Sequence, residues 1–178
     1  MGRSRQCLEF EALGPDDIAA ACPQKLYEQG GEVAVADEVA LDDIVDAVAI
    51  EQAARDALDG PGTAYERLER FLLRERDVLR GCRIGRLTQD PDVFAEDPLR
   101  QPVADALIWV RAAIAAVIEQ GQARGELVPG IAPDDLAGTI LATLQGAYVL
   151  ARAELDEKRF AAAVRGLLGL LRALVVPP

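Results

Sequence analysis

Histidine is absent from the 178-residue sequence. This absence excludes the catalytic dyads and triads that use histidine as a base, and it excludes most zinc sites. Aromatic residues make up only 4% of the chain, which is low for a β-sandwich or a β-barrel. The three cysteines, Cys7, Cys22 and Cys82, are widely spaced. An odd set of this kind predicts reduced thiols rather than a disulfide framework.

Long hydrophobic runs are also missing. No stretch reaches the ~18 consecutive apolar residues that a membrane-spanning helix needs. The basic start at Arg3 and Arg5 is not followed by the apolar core of a signal peptide. We therefore expect a cytoplasmic protein with no membrane partner.

Acidic side chains outnumber basic ones by 30 to 19, which gives a net charge of −11. Residues 31–62 hold nine of the acidic side chains and a single basic one. Affinity for DNA comes largely from lysine and arginine neutralising phosphates. Taken alone, this distribution argues against nucleic-acid binding, although it leaves room for a small basic surface at the N-terminus.

Helical patterning is present along most of the chain. The apolar fraction of 51% allows a sizeable core, and the abundance of alanine, leucine and glutamate favours helices. The fold class is therefore predicted to be all-α. The predicted helices cover residues 32–58, 64–80, 82–89, 102–124, 133–152 and 156–174.

Local signals mark where several of these helices begin and end. Thr63 and Glu66 have the spacing of a capping box. Pro102 suits the first position of the longest helix, and Gly125 suits its end. The residues Asp90-Pro91-Asp92 predict a turn.

The last two predicted helices are apolar on more than one side. One layer of a small domain cannot cover such helices, so either they are fully internal or a second protomer covers them. We expect a symmetric homodimer with a four-helix contact, the alternative being the core of a monomeric bundle. The predicted interface residues are Leu141, Gln145, Val164, Leu167, Leu168 and Leu171.

From about residue 60 onward the sequence resembles the C-terminal regulatory domain of the TetR family of bacterial transcriptional repressors. The segments that carry the resemblance, in order, are Thr63–Leu72, Arg80–Leu87, Ile118–Leu127 and Leu144–Arg152. The resemblance implies an all-α homodimer in which an N-terminal three-helix DNA-binding unit precedes a ligand-binding domain. It also implies that the last two helices form the dimer interface. On this basis residues 1–50 would form a helix-turn-helix-like region and residues 51–178 the ligand-binding and dimerisation domain.

The N-terminal region departs from the family pattern. One alignment matches the basic arm and the recognition helix, but the segment around Pro23 is too short for the usual turn. A second alignment places residues 18–30 on the first helix and residues 41–44 on the second, and then no recognition helix remains. Neither alignment restores a full DNA-reading unit. The residues that the resemblance assigns to operator DNA are Arg3, Arg5, Lys25 and Tyr27.

The helices between residues 64 and 152 are expected to enclose a ligand pocket. Such pockets are mostly apolar with a few polar anchors, so the expected effector is small and apolar or amphipathic. Ordinary core packing is the alternative role for each candidate. Trp109, the only tryptophan, lies off the apolar stripe of its helix and is expected to face a pocket or a partner. The candidate lining residues are Phe71, Leu72, Cys82, Leu87, Trp109, Val110, Leu144 and Tyr148.

Patterns for catalysis and metal binding are weak. Glu38, Asp42 and Asp46 share a helix face and could hold a hard cation, but a solvated acidic face is favoured. Cys82 has arginine neighbours that could make it a redox sensor, but a core or pocket-lining cysteine is favoured. We expect no cofactor, no metal and no enzyme activity.

The favoured function is a TetR-like transcriptional regulator, acting as a repressor, whose dimeric C-terminal domain binds a small effector and thereby controls DNA binding. The alternative is a ligand-binding or protein-interaction homodimer that has lost DNA binding. The broken helix-turn-helix and the acidic segment 31–62 motivate this alternative.

Overall fold

The computed structural model describes residues 52–177. The predicted DNA-contacting residues, the acidic group at residues 38–46 and the domain boundary at residue 50 lie outside this range. Residues 52–58 are helical, and six labelled helices follow them. These are α1 (Ala64–Leu73), α2 (Arg83–Leu87), α3 (Pro91–Ala95), α4 (Asp97–Ala123), α5 (Pro133–Glu154) and α6 (Glu157–Arg172).

The described residues confirm the all-α prediction. Their only extended pairing is an isolated antiparallel bridge between Leu127 and Val175. Helices α5 and α6 form an antiparallel pair joined at Leu155, which adopts a left-handed conformation with φ 52°. Helix α4 packs on α5, and α1 packs on both α4 and α6. The main core lies between these four helices, and a smaller cluster lies where α2 and α3 meet the first half of α4.

Helix α1 begins as the sequence predicts. The Thr63 hydroxyl accepts a hydrogen bond from the Glu66 N–H, and the Glu66 carboxylate accepts one from the Thr63 N–H at 2.8 Å. This reciprocal pair confirms the predicted capping box. The hydrogen bonds from Thr63 also lower the pKa of Glu66 below its ordinary value.

The prediction that this helix continues to residue 80 is wrong, because α1 ends at Leu73. The Arg76 guanidinium turns back and donates hydrogen bonds to the carbonyls of Phe71 and Leu72, both at 2.6 Å. Carbonyls in the last turn of a helix need such partners. An arginine side chain therefore terminates the helix.

The start of the long helix also differs from the prediction. Helix α4 begins at Asp97, and Pro102 lies inside its second turn. Because proline has no N–H, the hydrogen bond that this position would donate to the Pro98 carbonyl is missing from the helix. The predicted turn at residues 90–92 is instead the beginning of α3, with Asp90 as the N-cap and Pro91 in the first position.

The predicted end of α4 is confirmed. Gly125 has φ 71° and follows the C-cap Arg124. The Glu126 N–H donates to the Gly121 carbonyl at 2.8 Å, and the Gly125 N–H donates to the Gln122 carbonyl at 3.1 Å. These two bonds are those of a Schellman motif, in which a left-handed residue closes the helix.

Within residues 52–177, α4 alone is long and apolar enough to span a membrane by length and composition. This helix is not a continuous apolar run, because Asp105 and Arg111 interrupt it. Its residues Val110, Ile114 and Val117 are buried in the main core. Packing against α1 and α5 therefore accounts for its apolar stripe.

Candidate functional site

A cleft of about 210 Å³ lies between α2, α4 and α5. Its volume is below the roughly 300–1,000 Å³ of typical small-molecule pockets, so it suits a small ligand or part of a larger one. Both polar and apolar residues line it. The lining residues are Cys82, Gly85, Arg86, Thr88, Gln89, Leu107, Gln145, Gly146, Val149 and Arg152.

One wall of the cleft is a close contact between α2 and α5. Cys82 is the N-cap of α2, and its sulfur accepts hydrogen bonds from the Gly85 N–H at 3.4 Å and from Gln145 Nε2 at 3.3 Å. A Cβ at Gly85 would lie 2.3 Å from Gln145 Oε1. A side chain at position 85 would therefore displace the amide of Gln145 from the N-terminus of α2.

Two partly buried arginines follow the end of α1. The Arg74 guanidinium lies 4.4 Å from the centroid of the Phe71 ring, a cation–π distance. Arg76 lies 5.8 Å from the same ring and 5.6 Å from the ring of Phe160. Burial, together with the positive charge of Arg74, lowers the pKa of Arg76 to about 10.

Tyr148 lies close to these arginines on the α5 side. Its ring packs against Phe160 with centroids 4.7 Å apart. Burial raises the pKa of the Tyr148 hydroxyl, while the charge of Arg76 acts in the opposite direction. Tyr148 and the two arginines are therefore within electrostatic range of one another.

The structure places the eight predicted ligand residues in different surroundings. Cys82 lines the cleft, and Tyr148 is partly buried against Phe160. Trp109 is partly buried against Arg55, whose guanidinium lies 4.3 Å from the ring centroid. The other five side chains are buried in the protomer core, and a role in ligand contact stays a prediction for all eight. These five are Phe71, Leu72, Leu87, Val110 and Leu144.

Sequence reasoning did not assign Val149 and Arg152 to the site, and it assigned Gln145 to the dimer interface instead. A signal for all three was present. Positions 145, 149 and 152 are separated by four and three residues, so they share one face of α5. The pocket prediction followed the apolar stripes of the helices, and an arginine and a glutamine do not belong to such a stripe.

Besides the core packing of Ala54, Ala57 and Leu58, three arginine contacts join the helical segment 52–58 to the rest of the domain. Arg67, which is only 8% exposed, donates from Nε to the Leu58 carbonyl and from Nη1 to Gln120 Oε1 at 2.8 Å. Arg70 donates to the Ala57 carbonyl at 2.9 Å. The cation–π contact on Trp109 is the third. These contacts connect the last turn of this segment to α1 and α4.

The predicted dimer residues divide into two groups. Val164, Leu167 and Leu171 are buried within the protomer, whereas the other three are partly buried. A different set on the same two helices is exposed, with spacings of four, three, one and three residues on each helix. We call it the α5–α6 face: Ala142, Gly146, Val149, Leu150 and Ala153 on α5, and Ala162, Gly166, Gly169, Leu170 and Ala173 at and just beyond the end of α6.

Comparison with known proteins agrees with this architecture. A family model described as "Tetracyclin repressor-like, C-terminal domain" matches residues 62–167, more than half of the chain. Among solved structures, a TetR transcriptional regulator from Chloroflexus aurantiacus J-10-FL has 26% sequence identity and a TM-score of 0.62, over 75% of this chain and 69% of that one. No curated protein matches. Residues 52–177 contain no cluster of potential metal ligands. The chain belongs to the TetR family of transcriptional regulators.

Proposed function

We propose that this TetR-family regulator is a homodimeric, cytoplasmic repressor whose C-terminal domain binds a small effector and thereby controls operator binding. The proposal assigns the protein a regulatory rather than a catalytic role. The main observation in support is the α5–α6 face. This face is apolar and exposed to solvent in the protomer, and it lies on the two helices that the family uses for dimerisation.

The α5–α6 face has the composition of a helix-packing surface. Leu150 is 53% exposed and Leu170 is 71% exposed. A Cβ added at Gly146, Gly166 or Gly169 would meet no atom within 4 Å. Exposed leucines beside open glycines would let two helix pairs approach closely, as in a four-helix dimer interface.

A pair of matched substitutions tests dimerisation. Leu150→Glu places a charge on the α5–α6 face and should convert the dimer to monomers at micromolar concentration, as measured by light scattering coupled to gel filtration. Ile108→Glu is the control, because Ile108 is 54% exposed but lies on α4. A wild-type protein that is monomeric, or a dimer that both variants leave intact, would contradict the proposed interface.

Effector control would act by a shift in populations. The effector favours one spacing of the two N-terminal regions in the dimer. Whether that spacing matches successive major grooves of DNA decides whether the dimer binds its operator. Arg3, Arg5, Lys25 and Tyr27 remain the proposed DNA contacts. The contacts of Arg67, Arg70 and Arg55 would transmit the change, because they hold residues 52–58 against the ligand-binding domain.

A gel-shift assay with the DNA upstream of the protein's own gene tests the regulatory role. We expect a shift at micromolar protein or below that weakens as salt rises, because phosphate contacts release counterions. Unrelated DNA of the same length is the control. No salt-sensitive shift would favour the second candidate, a ligand-binding or interaction homodimer without DNA binding. The acidic excess of residues 31–62 favours that candidate.

A further inference from the structure

The cleft between α2, α4 and α5 continues into the α5–α6 face. Gly146 and Val149 belong to both, because they line the cleft and are also members of that face. Val149 is 56% exposed, and a Cβ added at Gly146 would meet no atom within 4 Å. Beside these two residues the cleft is therefore open on the side of the α5–α6 face.

This open side is the surface that the proposed dimer would cover. In a two-fold dimer built on the α5–α6 face, the same face of the partner subunit packs against Gly146 and Val149. The partner would then lie along the edge of the cleft and add a wall to those that α2, α4 and α5 provide. The cleft volume of about 210 Å³ is below the roughly 300–1,000 Å³ of typical small-molecule pockets, as expected for one part of a larger site.

The charged residues around the cleft are all basic. Among the described residues its lining includes Arg86 and Arg152 but no aspartate or glutamate, although the chain has a net charge of −11. Arg152 forms no ion pair with any residue in the range 52–177. The α5–α6 face consists of alanine, glycine, valine and leucine, so the partner's copy of it brings no carboxylate. Covering a guanidinium without a counter-charge is unfavourable, and a bound anion would offset that cost.

Packing holds the Arg152 side chain in place beside the cleft. It lies over Gly81, where an added Cβ would be 3.0 Å from Arg152 Cδ and 3.2 Å from its Nη1. Gly81 has φ 85°, a conformation that glycine adopts without strain. Gln145 lies seven positions before Arg152, on the same face of α5, and its Nε2 donates to Cys82 Sγ at 3.3 Å. One helix face therefore presents a cation and an oriented amide to the cleft.

We propose that the cleft is half of a binding site that the partner subunit completes, and that this site takes a small carboxylate bound by Arg152. Arginine suits this role because its planar donors match the two oxygens of a carboxylate. Binding and dimerisation are then linked, since an anion that prefers the dimer stabilises the dimer by the same factor. The inference rests on the proposed function, because it names the chemical class of the effector and places it at the interface.

Calorimetric titration of the full chain with sodium butanoate and its neutral analogue butanamide tests the ligand class. Butanoate should bind, and butanamide should bind at least roughly tenfold more weakly, because it lacks the charge that pairs with the guanidinium. Arg152→Gln should weaken butanoate binding by a similar factor, whereas Arg80→Gln, at an exposed position outside the cleft lining, should bind as the wild type does. Equal affinity for the two probes, no binding of butanoate, or an equal loss in Arg80→Gln would overturn the proposal.

A second pair of variants tests whether the partner completes the site. Leu150 does not line the cleft, and Leu150→Lys should break the dimer without repelling an anion. Butanoate should bind this monomer more weakly than the wild type by roughly 5- to 150-fold, the usual range of coupling between sites. Ile131→Lys adds the same charge at an exposed position between α4 and α5, and it should remain dimeric and bind normally. Equal butanoate affinity of the Leu150→Lys monomer and the wild-type dimer would reject the shared site.

These titrations need no DNA, so they separate this inference from the proposed function. Butanoate binding that requires the dimer but leaves the gel shift unchanged supports the shared site and contradicts effector control by this ligand class. A dimeric protein that gives a salt-sensitive gel shift but does not bind butanoate supports the regulatory role and rejects the shared anion site.

Discussion

Arg67 shows how one buried charged residue can hold two helices together. Its guanidinium reaches the Leu58 carbonyl and the Gln120 amide oxygen, and both acceptors would lose a partner in Arg67→Met. Leaving the buried Leu58 carbonyl unsatisfied should lower the free energy of unfolding by about 2 kcal/mol. Urea denaturation measures the change. Arg165→Gln, at an exposed position, should change stability by less than about 0.5 kcal/mol, and an equal loss there would refute the argument.

Gly121 marks the closest approach of α4 to α1. A Cβ at this position would lie 2.4 Å from the Ala64 Cβ and 3.0 Å from Leu127 Cδ1. Gly121→Ala should therefore destabilise the domain by about 1–3 kcal/mol, the usual cost of overpacking. Gly138→Ala in α5 is the control. It meets no atom within 4 Å and should gain about 0.5–1 kcal/mol from helix propensity. The melting temperatures of the two variants, measured by thermal unfolding, should therefore shift in opposite directions from the wild-type value.

Among the helices, α1 depends most clearly on its N-terminal cap. Thr63→Ala should lower the free energy of unfolding by about 1 kcal/mol, because the Glu66 N–H loses its acceptor. The pKa of Glu66 is below its ordinary value of 4.5, chiefly through the Thr63 N–H. Its contribution to stability is therefore present above that ordinary pKa and is lost as the pH falls through the lowered one.

An NMR titration of the Glu66 carboxyl checks this sign. In Thr63→Ala the backbone N–H remains, so the pKa of Glu66 should stay below 4.5 even though the cap is gone. A value at or above 4.5 in the wild type would contradict the capping box as the cause.

The ends of the helices show what sequence patterns can and cannot predict. The cap at Thr63 and the Schellman motif at Gly125 depend on neighbouring residues, and both were predictable. The end of α1 at Leu73 was not, because residues 74–80 continue an amphipathic pattern while the Arg76 side chain folds back onto the preceding turn. Pro102 was misplaced for a related reason. The sequence around a proline does not show whether the proline occupies the first position of a helix or lies in its second turn.

The candidate site was harder to predict than the fold. A helix's apolar stripe predicts burial, and Phe71, Leu72 and Leu144 are buried as core residues. Which residues surround an open space depends on how helices from distant parts of the chain meet. Gln145 and Cys82 are 63 positions apart, yet they share a hydrogen bond. Periodicity along one helix carries no information about such a pair.

At the scale of the whole domain, the two hydrophobic clusters should differ in stability. The smaller cluster of Ile84, Leu87, Val93, Val103 and Ala106 is covered by helices of only five residues. Amides of α2 and α3 should therefore exchange with solvent at a lower opening free energy than those of α5 and α6.

A core substitution in each cluster tests this difference by hydrogen exchange. Leu87→Ala should reduce protection in α2 and α3 and leave α5 and α6 nearly unchanged. Ile114→Ala, in the main core, should reduce protection throughout residues 52–177. Equal losses of protection from both substitutions would show that the domain unfolds as one unit.

The contact between Arg55 and Trp109 makes the tryptophan an intrinsic fluorescence probe of this part of the protein. The chain has a single tryptophan, and its ring lies under a guanidinium from the helical segment 52–58. Tryptophan emission from each chain therefore originates at one known place, the junction of residues 52–58 with α4. A change in its intensity or wavelength would follow movement of that junction in solution, without any attached dye.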